Sequence, residues 1–208
     1  DLLVCRVPSA PHVSSDTLAA MEAELSRAAA LFPSAAKMAA VGYGCTSGTA
    51  QLGAARVAER VTEGVSPGAV TAPVSALLAA CTHLGITKIG LVSPYVAEVS
   101  NTLRQVLARH GSEVTAFGSF NEAEEAKVVR IAPASTLAAA KAVGALASCE
   151  AVFLSCTNLR TLDIIAAAEA TLGRPVLTSN LVLAWHMLRL AKIAPRTDAP
   201  GRLWDQSG

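Results

Sequence analysis

Short apolar runs alternate with helical patterns of roughly ten to fifteen residues along most of this 208-residue chain. The predicted strands occupy residues 2–7, 37–43, 69–71, 88–92, 113–117, 151–154 and 176–178. Because parallel strands need long crossover connections, this alternation predicts right-handed βαβ units. We therefore expect an α/β protein with parallel sheets, whose ligands bind beyond the carboxyl ends of the strands.

Two of the predicted strands end in similar loops, each built around a Cys-Thr pair. The first loop contains Cys45 and Thr46 within residues 42–49, and the second contains Cys156 and Thr157 within residues 153–161. In both, an apolar run stops at the cysteine, a polar loop follows and an alanine-rich helical pattern begins. The N–H groups and positive dipole of a helix N-terminus favour a thiolate. The pattern therefore indicates two reactive cysteines.

The segments that follow the two cysteines have the same order of parts. Residues 45–71 and 156–178 each contain a Cys-Thr loop, a helix, a breaker with proline and glycine, and a short strand. This repetition indicates two pseudo-symmetric α/β halves that face each other. Such an arrangement would place one cysteine on each wall of a cleft.

Composition excludes several classes of function. Hydrophobic residues make up 52% of the chain and charged residues 16%, yet no apolar run approaches the roughly twenty residues that span a bilayer. The net charge of +1 is scattered and only 4% of residues are aromatic, so we expect no nucleic-acid partner. The low charge and high alanine content permit a homo-oligomer.

The cysteines are odd in number and form no CxxC pair, which favours reduced thiols in a cytoplasmic protein over a disulfide framework. They are Cys5, Cys45, Cys81, Cys149 and Cys156. No histidine has zinc-ligand spacing to a cysteine, so we expect no metal site. Cys5, Cys81 and Cys149 lie in or beside strand or helix patterns and are interpreted as packing residues.

Two thiols on opposite faces of a flat intermediate can invert a carbon centre, because one removes a proton while the other delivers one. Hydroxyl groups beside each cysteine can hold a carboxylate, and Gly44 and Gly48 let the backbone approach a ligand closely. Tyr95 follows a proline at a strand end, where its phenol could donate to a carboxylate. Asn158 either binds substrate or caps the next helix, and Asn121 is either a cleft residue or an ordinary loop asparagine.

Several motifs resemble the aspartate/glutamate racemase superfamily, in the branch of the maleate cis-trans isomerases and arylmalonate decarboxylases. They are residues 43–49, residues 155–163, Ser93-Pro94-Tyr95 and Gly201-Arg202-Leu203-Trp204. The resemblance extends over essentially the whole chain. It implies a cofactor-independent enzyme with two flavodoxin-like domains and an active site between them. The expected boundaries are residues 1–73 with about 185–208 for the first domain and 74–184 for the second.

By position, the resemblance implies that Cys45 and Cys156 are catalytic. It also implies that a substrate carboxylate is held by Thr46, Ser47, Tyr95 and Thr157, and we add Asn158 to this group. Arylmalonate decarboxylases have a small residue in the place of Cys45, so the presence of both thiols argues against decarboxylation. Family members also begin with another strand and a polar loop, which we expect to be absent from this sequence.

The leading hypothesis is therefore isomerisation of a small carboxylic acid, either by aspartate/glutamate-type racemisation or by maleate-type cis-trans isomerisation. The sequence does not separate these two reactions. The alternatives are a non-catalytic protein that binds a small acid, an arylmalonate-type decarboxylase, and a redox-responsive protein that joins Cys45 and Cys156 in a disulfide.

Overall fold

The computed structural model describes residues 1–195 and 198–205, and all strand pairs in this part of the chain are parallel. The strands are β1 (Val41–Gly42), β2 (Val70–Thr71), β3 (Lys88–Tyr95), β4 (Glu113–Glu122), β5 (Ala151–Leu154) and β6 (Val176–Thr178). They form a two-stranded sheet, β1-β2, and a four-stranded sheet in the order β4-β3-β5-β6. The prediction of an α/β protein with parallel sheets is confirmed.

Helices connect the strands and cover the sheets. They are α1 (Ser15–Ala20), α2 (Glu22–Ala29), α3 (Thr46–Leu52), α4 (Ala54–Gly64), α5 (Pro73–Leu84), α6 (Ala97–Arg109), α7 (Glu125–Val128), α8 (Pro133–Gly144), α9 (Ile165–Leu172) and α10 (Ser179–Leu190). Short 3-10 helices lie at Leu162–Ile164 and Arg202–Trp204. Strands and helices alternate along the chain because parallel strands are connected by crossover helices.

The centre of the larger sheet forms the core of the protein. All of β5 is buried, as is β3 from Ile89 onward, which is why both strands read as continuous apolar runs. One apolar cluster extends from these strands across α5 to α10 and includes Leu77, Phe153 and Trp185. Because α5 follows the small sheet and α10 follows β6, this packing holds the two sheets in a fixed relation.

The amino-terminal residues differ from the prediction. Residues 2–7 form no strand, and Leu2, Leu3 and Val4 are exposed. A strand needs a neighbouring strand edge, and in the part of the chain that the structure describes none pairs with this segment. The helical segment that follows is divided at Met21 into α1 and α2.

Residues 1–13, here called the N-terminal strap, cross from one half of the molecule to the other. The Cys5 thiol donates to the Ala28 carbonyl in α2 at 3.2 Å. At the far end, the Val13 N–H donates to the Ala123 carbonyl at 2.8 Å, and the Glu125 N–H donates to the Pro11 carbonyl at 3.0 Å. The strap therefore ties α2 to the segment that follows β4.

The predicted first domain extends to residue 208, and residues 196–197 and 206–208 of it lie outside the described residues. Within the described tail, the buried Leu203 joins the core beside α5 and α10. None of the helices described here combines the length and the apolar character required to cross a membrane.

Candidate active site

Both cysteine loops open into one cavity of about 280 Å³ at the carboxyl ends of the strands. Cys45 follows β1 and Cys156 follows β5. The structure brings every residue that we predicted for the site to the wall of this cavity: Cys45, Cys156, Thr46, Ser47, Tyr95, Thr157 and Asn158. The N-terminal strap and α1 form another part of the lining.

Cys45 is the N-cap residue of α3. Its backbone is extended, with φ −132° and ψ 110°, and its Sγ accepts the Gly48 N–H at 3.3 Å. The Thr49 hydroxyl donates to the Cys45 carbonyl at 2.6 Å and fixes the first turn. The sulfur therefore takes the place of the side-chain oxygen that usually caps a helix.

Gly48 leaves room for the Cys45 thiol and for the neighbouring Tyr43. A Cβ atom at position 48 would lie 2.6 Å from the Tyr43 hydroxyl oxygen and 3.0 Å from Cys45 Sγ. At Gly44, a Cβ would meet no atom within 4 Å. We therefore assign Gly48 to the packing around the thiol, and only Gly44 retains open space for a ligand.

Cys156 occupies an unusual backbone position, with φ +117°. Its Sγ accepts the Asn158 N–H at 3.3 Å and lies 3.2 Å from the Tyr95 hydroxyl oxygen. Its own N–H donates to Ser179 Oγ at 2.9 Å. No regular helix begins directly after Cys156, which differs from the prediction of a second loop feeding a helix N-terminus.

Burial dominates the ionisation of both thiols. It raises the pKa of Cys45, against the opposing effects of the Gly48 N–H and the Tyr43 hydroxyl. It raises the pKa of Cys156 to about 12, against the opposing effects of the Tyr95 hydroxyl and the Asn158 N–H. The charge of Glu125 raises both values further. The expectation that the loops favour thiolates overlooked this desolvation.

Glu125, the first residue of α7, connects the second loop to Tyr95. The Tyr95 hydroxyl donates to Glu125 Oε1 at 2.7 Å, and Asn158 Nδ2 donates to Glu125 Oε2 at 2.8 Å. The Tyr95 hydroxyl lies within hydrogen-bond distance of both Glu125 Oε1 and Cys156 Sγ, and its one proton serves one of them at a time. While that proton is directed to Glu125, the Cys156 thiol keeps its own. The network therefore holds Cys156 in its protonated form.

Hydrogen bonds join the two cysteine loops. Ser179 Oγ, which accepts the Cys156 N–H, also accepts from the Thr46 hydroxyl at 2.8 Å. The Thr157 hydroxyl donates to the Gly44 carbonyl at 2.7 Å. The side chains of Thr46 and Thr157 are therefore engaged in holding the loops together, while Ser47 is buried in the cavity wall.

Sequence reasoning did not find Glu125 or Ser179. Both begin helices, and their sequence contexts carry no motif. Asn121, which we considered as a cleft residue or a loop asparagine, lies in β4, since this strand continues to Glu122. Asn121 is exposed in that strand and is absent from the cavity lining, and Glu125 lies in the wall instead.

Metal ligands are not clustered in this site. Across residues 1–195 and 198–205, no three His, Cys, Asp or Glu side chains are placed to hold a metal ion. All five cysteines, including Cys45 and Cys156, are free thiols. The two thiols can carry out proton transfer and thiol addition.

Comparison with known families gives a match to the arylmalonate decarboxylase family over residues 61–204. Among characterised proteins, the chain is 27% identical to a maleate isomerase of Pseudomonas putida over 200 residues, which cover 92% of this chain and 79% of that protein. It is also 29% identical to the arylmalonate decarboxylase of Bordetella bronchiseptica over 135 residues, or 64% of this chain and 56% of that protein.

Solved structures share the fold. The crystal structure of a Pseudomonas putida maleate isomerase superposes with a TM-score of 0.85 at 21% identity, covering 94% of this chain and 81% of that one. A cysteine-to-serine mutant of Nocardia farcinica maleate cis-trans isomerase, with a covalently bound succinylcysteine intermediate, superposes with a TM-score of 0.84 at 24% identity. That match covers 95% of this chain and 83% of the mutant.

Proposed function

This chain belongs to the arylmalonate decarboxylase family, and we propose that it is a cofactor-independent isomerase of a small carboxylic acid with Cys45 and Cys156 as its reacting thiols. The similarity to maleate isomerases supports isomerase chemistry. The observation that carries the proposal is the presence of both thiols in one cavity with different hydrogen-bond partners.

Cys45 is the base or nucleophile in this scheme. Its sulfur accepts an N–H from the first turn of α3, and this contact stabilises a thiolate when one forms. Cys156 is the acid, because its partner Tyr95 donates to Glu125 and leaves the thiol proton in place. A shared cavity between an acid and a base suits proton transfer to opposite faces of one carbon.

The substrate carboxylate would lie near the amino-terminal turn of α3. The first backbone N–H groups of a helix have no partner within the helix, so those of Thr46 and Ser47 can hold an anion. The Ser47 hydroxyl adds a donor, and Tyr95, Thr157 and Asn158 line the same cavity. Donors fixed in this way also stabilise an enolate-like carboxylate in the transition state.

Two reactions fit this division of labour. In racemisation, the Cys45 thiolate removes the α-proton, and the Cys156 thiol then protonates the resulting enediolate on its other face. In cis-trans isomerisation, Cys45 sulfur adds to the double bond and Cys156 protonates the neighbouring carbon. Rotation about the new single bond, loss of that proton and cleavage of the C–S bond then give the trans acid. The succinylcysteine in the Nocardia farcinica protein is an intermediate of the second kind.

The proposal also covers the domain boundaries, the cellular location and the superfamily of this protein. We assign residues 1–73 and about 185–208 to the first domain, residues 74–184 to the second, and the cavity to the junction between them. The protein is proposed to act in the cytoplasm, where its thiols stay reduced, and to belong to the wider aspartate/glutamate racemase superfamily.

Proton NMR in deuterated buffer tests the proposal with maleate, aspartate, glutamate and an arylmalonate as substrates. We expect fumarate from maleate, or deuterium at the α-carbon of an amino acid. Cys45→Ser and Cys156→Ser should each lower the rate by about 10²-fold or more. Cys149→Ser is the matched control, because Cys149 is buried away from the cavity beside Val143.

The alternatives give different results in the same experiment. Loss of CO₂ from the arylmalonate without isomerisation of the other acids would indicate a decarboxylase. Ligand binding that survives both active-site serine substitutions, with no turnover of any acid, would indicate a binding protein. A free-thiol count that falls by two under mild oxidant, again without turnover, would indicate a redox-responsive pair.

A further inference from the structure

Glu125 places a carboxylate in the wall of the cavity that contains the two thiols. Its two oxygens accept hydrogen bonds from the Tyr95 hydroxyl and from the Asn158 amide. Both partners are donors, which matches an ionised carboxylate, since a protonated one would have a hydrogen to donate. The cavity therefore contains a fixed negative charge close to Cys156.

In the part of the chain that the structure describes, no basic side chain forms an ion pair with this carboxylate. Across residues 1–195 and 198–205, Glu125 forms no ion pair, whereas its neighbours Glu122 and Glu124 both pair with Lys127. Among the described residues, the other charged or titratable groups that line the cavity, besides the thiols and tyrosines, are Arg6 and His12, both exposed on the N-terminal strap. The charge also acts at a distance, because Glu125 raises the pKa of both cavity thiols.

Each carboxylate oxygen can accept more than one hydrogen bond. Tyr95 and Asn158 occupy one position on each oxygen of Glu125, so acceptor positions remain for a ligand. A ligand group that carries a negative charge would be repelled there, and one that carries an N–H would be bound. A substrate with a second ionised carboxylate is therefore a poor match to this wall.

We propose that Glu125 is a specificity-determining residue, which selects carboxylic acids bearing an N–H donor, either amide or ammonium, in place of a second carboxylate. In this arrangement one substrate carboxylate would lie near Thr46 and Ser47, and the N–H group would donate to Glu125, which lines the same cavity. This inference rests on the proposed function, since it assigns a substrate class to the same cavity. It separates this chain from an enzyme for the maleate dianion.

Maleamate and maleate form a matched pair of probes, because they share the cis double bond and differ by an amide in place of one carboxylate. At pH 8, where maleate is a dianion, we expect kcat/KM for maleamate to exceed that for maleate at least tenfold. Glu125→Gln keeps the shape of the side chain and removes its charge. This variant should lower the ratio of kcat/KM for maleamate to kcat/KM for maleate at least tenfold, mainly through changes in KM.

Glu124→Gln is the control, because Glu124 is adjacent in sequence, pairs with Lys127 and does not line the cavity. It should leave the ratio unchanged. Asparagine and succinamate in a binding assay separate the two N–H sources. Tighter binding of asparagine assigns the contact to an ammonium group, and equal binding assigns it to an amide.

Calorimetry measures the dissociation constants of maleamate and maleate, so the test does not depend on turnover. If neither compound reacts and no amino acid is racemised, the proposed function fails, yet the preference of Glu125 is still read from the two dissociation constants. A wild-type preference for maleate in binding, or a preference that Glu125→Gln leaves unchanged, would overturn the assignment of Glu125.

Discussion

The hydroxyl of Thr157 donates a hydrogen bond to the carbonyl oxygen of Gly44 at 2.7 Å, so that the two cysteine loops are in direct contact. These residues are 113 positions apart in the chain. The contact fixes the distance between two loops that follow strands of different sheets.

Thr157→Val should therefore reduce the catalytic rate strongly and the free energy of unfolding only slightly. We expect kcat to fall roughly tenfold, because small displacements of reacting groups have large effects on rate. The free energy of unfolding should fall by about 1 kcal/mol, the typical contribution of one hydrogen bond. Steady-state kinetics and urea denaturation measure the two effects. Thr157→Ser retains the hydroxyl and serves as the control, and a valine variant with wild-type kcat would show that the contact has no catalytic role.

Tyr95→Phe removes the hydroxyl between Glu125 and Cys156. Without it, Cys156 loses the partner that accepts its proton, and the charge of Glu125 loses a hydrogen bond. We expect kcat to fall by about 10²-fold, within the range for groups that assist proton transfer. Thermal melting checks that the fold is intact. Retention of more than a third of the wild-type rate would contradict this role of Tyr95.

The pH dependence follows from the raised pKa of both thiols. Burial raises the pKa of Cys45, so little thiolate is present at neutral pH and its fraction increases as the pH rises. Burial raises the pKa of Cys156 to about 12, so this acid stays protonated over the same range. We expect kcat/KM to increase from pH 6 to pH 9 without a falling limb. A maximum near pH 7 would show that Cys45 ionises more readily than its burial indicates.

The two glycines of the first loop should differ in their tolerance of a methyl group. Gly48→Ala forces Tyr43 or Cys45 to move, and overpacking of this kind lowers the free energy of unfolding by about 1–3 kcal/mol. The methyl group of Gly44→Ala would lie in open space, so this substitution should change the free energy of unfolding by less than about 0.5 kcal/mol. Chemical denaturation of the two variants, compared side by side, tests the difference. Equal destabilisation would contradict the packing role of Gly48.

Cys156 has a φ of +117°, which glycine adopts more readily than any other residue. Strained conformations of this kind cost about 1–3 kcal/mol, and glycine loses part of this gain through its greater freedom in the unfolded state. We expect the free energy of unfolding of Cys156→Gly to be about 1 kcal/mol higher than that of Cys156→Ala. Both variants should be inactive. Denaturation curves compare them, and an alanine variant of equal or greater stability would argue against strain.

The central strands were predictable because their physical signal is local. The prediction of residues 151–154 matches β5, since an entirely buried parallel strand reads as an uninterrupted apolar run. The site loops were predictable for the related reason that both cysteines stop such runs. Residues 2–7 have similar apolar character, but a strand also needs a partner, and pairing is not encoded in the segment itself.

Glu125 and Ser179 could not be identified because their roles depend on tertiary contacts. Glu125 begins a four-residue helix among other glutamates, and only the fold shows that Glu122 and Glu124 turn to Lys127 while Glu125 faces Tyr95. Ser179 begins α10 directly after β6, and its contacts are with residues 133 and 23 positions away in sequence. Burial of the thiols was missed for the same reason.

The N-terminal strap has a consequence for engineering, because it contacts both the cavity that contains the two thiols and the backbone of Glu125. The Pro11 carbonyl accepts the Glu125 N–H, while residues 4–7 line the cavity. A change in the strap can therefore shift the cavity carboxylate without altering either cysteine loop. A mutant library confined to residues 4–12 would reshape the cavity wall while Cys45, Cys156 and their hydrogen-bond partners keep their own sequence, which makes this segment a good starting point for directed evolution.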